Sequence, residues 1–278
     1  MSVLEFSLIV GAGSLVAGFL GALTGLGGGV VIVPMLSLLL GVDIRYAIGA
    51  SLVSVIATSS GAAAAYVREG ISNIRIGMFL EIATTLGAIA GATLATHIST
   101  GAVSVVFGLV LISSAFLSWS PRVKDARDDS PDALATRLRL NGSFPEGGGI
   151  RKYHVRRVPL GWGLMFGAGT LSGLLGIGSG AMKVLAMDLA MRIPFKVSTT
   201  TSNFMIGVTA AASAGIYLSR GYIDPGLSMP VMLGVLAGSL LGTRVLVKVH
   251  PKWLRRIFSV VIVALGSEML YKGITGRI

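Results

Sequence analysis

Read for apolar runs alone, the 278-residue chain divides into two sets separated by one polar stretch. The first set falls at about residues 3–24, 26–42, 46–66, 76–98 and 103–119. The polar stretch occupies 120–158, and the second set follows at 159–175, 177–191, 197–218, 227–247 and 255–273. Runs of roughly 17–25 apolar residues are long enough to cross a bilayer as helices. The pattern therefore predicts an all-α integral membrane protein with 8–10 transmembrane helices, some short or broken at glycine-rich motifs. Residues 1–119 and 159–278 form two transmembrane repeats around a loop at 120–158. The second segment of each set is short, and it reads as a half-helix or as one arm of a re-entrant hairpin.

The two sets are copies. An offset of 151 residues pairs Gly18 with Gly169, and Gly25, Gly27 and Gly29 with Gly176, Gly178 and Gly180. It continues through Ser51 with Ser202, Thr58 with Thr209, Tyr66 with Tyr217, and Gly87 with Gly238. Single glycine matches are cheap in a chain with 39 glycines, whereas a constant register across a whole set is not. Each copy holds an odd number of membrane passages, whether counted as five segments or as three spans and a hairpin. The second copy then enters the membrane from the opposite side. Inverted repeats of this kind are a device of secondary transporters, which bind substrate near the midplane where the repeats meet.

Composition agrees with a membrane chain. Only 13% of residues are charged and 53% are hydrophobic, with a mean hydropathy of +0.81; soluble domains carry about a quarter charged residues. A net charge of +11 raises the question of nucleic acid, but no basic segment accompanies a recognition fold, so no nucleic-acid partner is expected. The basic residues follow the positive-inside rule instead. With the termini outside and the 120–158 loop cytoplasmic, only Arg45, Arg220, Lys272 and Arg277 of the 23 Lys and Arg fall outside, and Lys183 falls within the membrane. This places the protein in the cell (cytoplasmic) membrane. The start, MSVLEFSLIV, lacks the basic region of a cleaved signal peptide, so its apolar run is expected to stay. The absence of cysteine excludes thiolate chemistry. The loop's TRLRL and IRKYHVRRV, flanking NGSFPEGGG, predict a small β-hairpin within what reads as a solvated linker, a docking or regulatory element being the alternative.

Candidate chemistry gathers at GLGGG, 25–29, and GIGSG, 176–180. A dinucleotide loop would need a preceding strand and a later acidic residue, which neither flank supplies. An intramembrane serine protease would need a base near Ser179, yet His97, His154 and His250 all lie at segment ends or in loops. Close helix packing through small residues is the serious alternative. A glycine cluster between two apolar segments nevertheless breaks the helix, and bared backbone is tolerated at membrane depth only against protein or a water-filled cavity. The following helix starts there with free N–H groups, which favour anions. Gly27, Gly28, Gly29, Gly178, Ser179 and Gly180 are therefore the candidate substrate-binding positions.

Lys183 stands one turn into the helix after the second break, where a bound anion or a carboxylate must offset the cost of its charge. The run KVSTTTSNFM, 196–205, exceeds what helix capping needs and adds Thr200, Thr201, Ser202 and Asn203, with Ser51 in the first copy. Glu81 and Glu268 are acids within apolar segments and hence proton-relay candidates. No catalytic residue, metal ligand or cofactor is expected, and the oligomeric state is not readable from the sequence.

LTGLGGGVVIVPML in the first copy, with SGLLGIGSGAMKVLA and KVSTTTSNFM in the second, resembles the sulfite exporter TauE/SafE family, also called the toluene sulfonate uptake permease family. The resemblance covers nearly the whole chain apart from 120–158. It implies a multi-pass transporter of small sulfur-containing anions or organosulfonates. Three departures mark a subgroup: Ser179 replaces a glycine, Leu185 stands where Pro34 stands in the first copy, and Lys183 is added. The resulting expectation is a permease, not an enzyme, that moves a small anion between the glycine breaks. A proton-coupled carrier of small organic acids and a non-transporting membrane scaffold are the alternatives.

Overall fold

The computed structural model describes residues 2–24, 28–68, 72–119, 132–146, 149–246 and 251–276. The first copy comprises α1 (Val3–Thr24), α2 (Gly29–Pro34), α3 (Ile44–Arg68), α4 (Ile74–His97) and α5 (Thr100–Trp119). A small insert follows: α6 (Ala133–Arg137), β1 (Gly142–Glu146) and β2 (Gly149–Tyr153). The second copy comprises α7 (Val158–Leu175), α8 (Gly180–Leu185), α9 (Phe195–Ser219), α10 (Pro225–Leu246) and α11 (Pro251–Thr275). Helices dominate because a bilayer supplies no partner for backbone N–H and C=O groups, and a helix satisfies them within itself. Among the described residues, four helices carry stretches long and apolar enough to cross a membrane: Leu4–Gly21, Ile74–His97, Val158–Leu175 and Pro225–Gly242. Gly29–Leu39, Ile44–Ser60 and Thr100–Ala115 are shorter apolar helices.

The duplication persists down to local irregularities. Helices α2 and α8 each run into a π-helical turn, Met35–Leu39 and Ala186–Ala190. Both turns end at a left-handed residue, Gly41 and Arg192, and in both an amide then reaches back, Val42 N to Leu36 O and Ile193 N to Met187 O, each at 3.0 Å. Pro34 lacks the N–H that would continue its helix, yet Leu185 precedes the same turn in the second copy. The proline is therefore not its cause. Each short helix with its turn covers 11 residues, or about 16 Å at the α-helical rise, roughly half the hydrocarbon thickness. The second segments are half-helices.

Packing between the copies is exchanged. Helix α1 packs on α10 and α4 on α7, while α3 packs on α9 and α5 on α11. Small residues allow the backbones to touch, as lipid-embedded helices require. A Cβ at Gly87 would strike the carbonyl of Phe166, and one at Gly238 would strike that of Leu15, the equivalent position. Likewise Gly169 abuts the carbonyl of Thr84, and Gly18 that of Val235. Outward positions repeat as well: Met78 and Ile82 on α4 are exposed, as are Met229 and Leu233 on α10. An apolar surface this extensive is ordinary in lipid and a liability in water.

The insert is not the solvated linker expected from its charge. Strands β1 and β2 pair antiparallel, Gly142 opposite Tyr153 through Glu146 opposite Gly149. Ala135, Leu140, Phe144, Tyr153 and Val155 are buried in one cluster with Ile76 and Leu80 of α4, Val197 of α9, and Met191 and Ile193 between α8 and α9. Asn73 ties this contact together. Its side chain caps α4 by accepting from Ile76 N at 3.1 Å, its amide nitrogen donates to the Tyr153 hydroxyl at 2.7 Å, and its backbone N donates to Thr201 Oγ1 at 3.1 Å. Apolar positions spaced between the arginines made this docking; the charges alone concealed it.

Candidate functional site

The second glycine break turns through three left-handed residues, Gly176, Gly178 and Ser179. Side chains outside the break hold its carbonyls. Ser51 of α3 donates to Gly176 O at 2.7 Å, and Ser202 of α9 donates to Gly180 O at 3.2 Å. The Ser179 hydroxyl is buried and has no hydrogen-bond partner among the described residues. Buried polar atoms are rarely left unpaired without a functional reason or a missing ligand or water.

In the first break Gly25 and Gly27 lie outside the described residues. Gly28 adopts an ordinary right-handed conformation, and its carbonyl receives Val31 N and Ile32 N, each at 3.0 Å. A Cβ on Gly29 would lie 2.6 Å from Ser51 Oγ and 2.9 Å from Gly176 O. The start of α2 therefore sits directly against the second break, and the two interruptions share one region between the copies.

Lys183 does not reach out to an interface. It is fully buried, and its ammonium donates to Thr209 Oγ1, near the middle of α9. Thr209 in turn reaches Glu81 Oε1 at 2.7 Å, on α4 of the other copy. Thr85 adds a second donor to the same oxygen at 3.2 Å, while Glu81 Oε2 is buried with no partner among the described residues. The threonine hydroxyl has one proton and two nearby acceptors, Glu81 Oε1 and its own helix's Met205 O at 2.9 Å. The cation and the carboxylate are thus linked through a hydroxyl that accepts from one and can donate to the other.

The polar run after Lys196 divides by role. Ser198, Thr199 and Thr200 donate to backbone carbonyls at the start of their own helix, at Ile193, Phe195 and Lys196 respectively. Thr201 binds the insert's anchor, Asn73, and Ser202 binds the break. Asn203 is half-buried one residue further along. Of the predicted residues, the structure brings Gly28, Gly29, Ser51, Gly178, Ser179, Gly180 and Ser202 together at the breaks. Lys183 and Glu81 meet through Thr209. Glu268 stands apart: it is exposed and pairs with Lys272 at 3.8 Å on the same helix. Sequence reasoning missed Thr209 as a bridge, although it is the repeat mate of Thr58.

Residues 10–269 match the protein family described as Sulfite exporter TauE/SafE. The chain is 29% identical over 278 residues to the Probable membrane transporter protein YunE of Bacillus subtilis (strain 168), covering 98% of this chain and 99% of that protein. It is 26% identical to the Probable membrane transporter protein YdhB of the same organism, over 83% of this chain and 84% of that one. With the Probable membrane transporter protein MJ0441 of Methanocaldococcus jannaschii it shares 24% identity, over 96% and 95% of the two chains. No solved structure matches.

Proposed function

We propose that this chain, which belongs to the sulfite exporter TauE/SafE family of membrane transporters, moves a small sulfur oxyanion or organosulfonate bound between its two glycine breaks. The observation that carries this reading is Lys183, a fully buried cation set one turn beyond a break. An ammonium has three donors, and Thr209 takes one of them. The unpaired Ser179 hydroxyl supplies a further donor of the kind a tetrahedral oxyanion needs, while Ser51 and Ser202 hold the carbonyls of the break. The exchanged helix pairs support two inverted repeats related by a pseudo-two-fold axis in the membrane. In this arrangement the insert faces the cytoplasm, both termini lie outside, and the protein resides in the cell membrane, as its charge distribution favours.

Lys183→Ala tests the reading directly. Removing a charge-assisted hydrogen bond costs about 1.5–3 kcal/mol, a roughly ten- to hundredfold loss of affinity. The measurement is uptake of radiolabelled sulfite and methanesulfonate into vesicles at matched protein levels. Unchanged affinity and rate in the alanine variant would remove Lys183 from the site and the anion from the proposal.

A further inference from the structure

We infer that Glu81 is a proton-binding site that exchanges places with the transported anion as the partner of Lys183, so that each anion crosses with a proton. This rests on the anion reading above and adds its coupling.

The inference starts from charge balance in a buried site. Lys183 and Glu81 are both buried and connect through one hydroxyl, so the substrate-free site is neutral. An anion that engages Lys183 brings a second negative charge into the same volume. If Glu81 stayed ionised, the site would hold a net negative charge with one carboxylate oxygen already lacking a hydrogen-bond partner. An uncompensated charge in such a place costs several kcal/mol, and a buried acid avoids that cost by becoming neutral. One proton from the side of entry binds Glu81 as the anion binds Lys183. Release to the other side returns the anion, the proton and the original pair. No bond other than the carboxyl O–H forms or breaks, and the site is neutral at each stage.

Thr209 supplies the moving part. While Glu81 is ionised, the hydroxyl proton points to Oε1; when Glu81 is neutral, it turns to Met205 O, 2.9 Å away. The first-copy equivalent, Thr58, already makes that second kind of bond, to Ser54 O at 3.0 Å.

Few other ionisable groups compete. Lys183 is the charged group joined to Glu81 through Thr209. Helix α7 carries none along Val158–Leu175, α9 carries none between Lys196 and Tyr217, and α3 none between Tyr46 and Tyr66. Asp188 lies five residues beyond Lys183, on the π-helical turn. Arg75 and His97 are the other ionisable residues of α4, close to its two ends.

Methanesulfonate is the probe of choice because a sulfonate stays ionised throughout the usable pH range, so any proton that moves must be carried by the protein. Vesicles containing the wild-type protein and a pH-sensitive dye should acidify as they take up methanesulfonate, by about one proton per anion, as an intramembrane acid relay predicts. Uptake should quicken with an acidic exterior and be indifferent to membrane potential. Glu81→Gln should take up the anion more slowly, without acidification, and with a rate that responds to potential. Uptake by the wild type without acidification overturns the coupling and leaves the anion reading standing. An unchanged proton-to-anion ratio in Glu81→Gln also overturns it. If the wild type moves neither methanesulfonate nor sulfite, the anion reading falls and takes the coupling with it.

Discussion

The two halves of this molecule share a scaffold and differ in chemistry. At the offset that superimposes α2 on α8 and α3 on α9, Lys183 corresponds to Ile32, Glu81 to Met232, Thr209 to Thr58 and Ser179 to Gly28. The helix order, the π-helical turns and the close contacts of Gly18, Gly87, Gly169 and Gly238 recur in both. The second copy holds the buried cation and the first the carboxylate it meets; their repeat mates, Ile32 and Met232, are an aliphatic and a thioether side chain. Fold and site are therefore separable. Small residues and apolar runs set the architecture twice, and one substitution in each copy, Lys183 in the second and Glu81 in the first, adds the charged pair.

The most disruptive way to break this comparison is to copy one member of the charged pair onto its apolar repeat mate. Ile32 is fully buried, so Ile32→Lys places an ammonium where no carboxylate waits. Breaking or omitting one partner of a buried pair costs about 3–5 kcal/mol, and a large fall in folded protein is expected in a thermal-unfolding assay in detergent. Met232→Glu added to Ile32→Lys should recover part of the loss, because Thr58 stands where Thr209 stands. If the second substitution deepens the loss instead, the halves are not equivalent at this depth.

A smaller effect should separate the two glycines that open the half-helices. In Gly29→Ala the new methyl would lie 2.9 Å from the carbonyl of Gly176 and 2.6 Å from a serine oxygen already committed to that carbonyl. The obstruction is backbone, and overpacking of this kind costs about 1–3 kcal/mol. In Gly180→Ala the nearest atom is the end of Ile206, a flexible side chain that can turn away, and Ser202 Oγ is 3.8 Å off. Anion uptake should fall sharply for Gly29→Ala and little for Gly180→Ala. Equal losses would mean that the breaks contribute as packing alone.

How much of this the sequence showed depends on the range over which each signal acts. The duplication was legible because glycines and apolar runs repeat at a fixed offset, and each acts on its own helix and close neighbour. The half-helices were legible because their length is a local property. The partner of Lys183 was not, because a helical reading looks four or five residues away, and Glu81 is on another helix in the other copy. Thr209 gave no local sign at all, since its back-bond to Met205 O is what any threonine in a helix makes. The docking of the insert was hidden for a different reason. Tyr153 and Val155 stand among Arg151, Lys152, Arg156 and Arg157, Phe144 lies in a turn-prone stretch, and their common apolar surface exists only once the hairpin has formed.

That docked insert adds a last asymmetry, since it seats on the ends of α4 and α9, the two helices that supply Glu81 and Thr209. Tyr153→Phe should sharpen the difference with the smallest effect of the set. The substitution keeps the ring in its cluster and removes the hydroxyl that receives the Asn73 amide at 2.7 Å, for about 1 kcal/mol. Opening of the insert should then rise roughly fivefold, read as faster tryptic cleavage at Arg137 and Arg139, both exposed on the insert. The same hydroxyl gives a pH dependence with a definite sign. Burial pushes the Tyr153 hydroxyl above its ordinary value of 10.0, the hydrogen bond with Asn73 opposing the shift. A group whose folded-state value is raised in this way stabilises the docked form fully below its unfolded value, and the contribution is lost as pH climbs through the folded one. Wild-type cleavage should therefore accelerate above about pH 10 beyond the enzyme's own pH response, whereas Tyr153→Phe, already without the hydroxyl, should show only that response. Identical pH profiles for the two proteins would show that the hydroxyl does not hold the insert, leaving the apolar cluster and backbone contacts such as Arg156 N to Met191 O at 3.0 Å to anchor it to the helices that carry the candidate site.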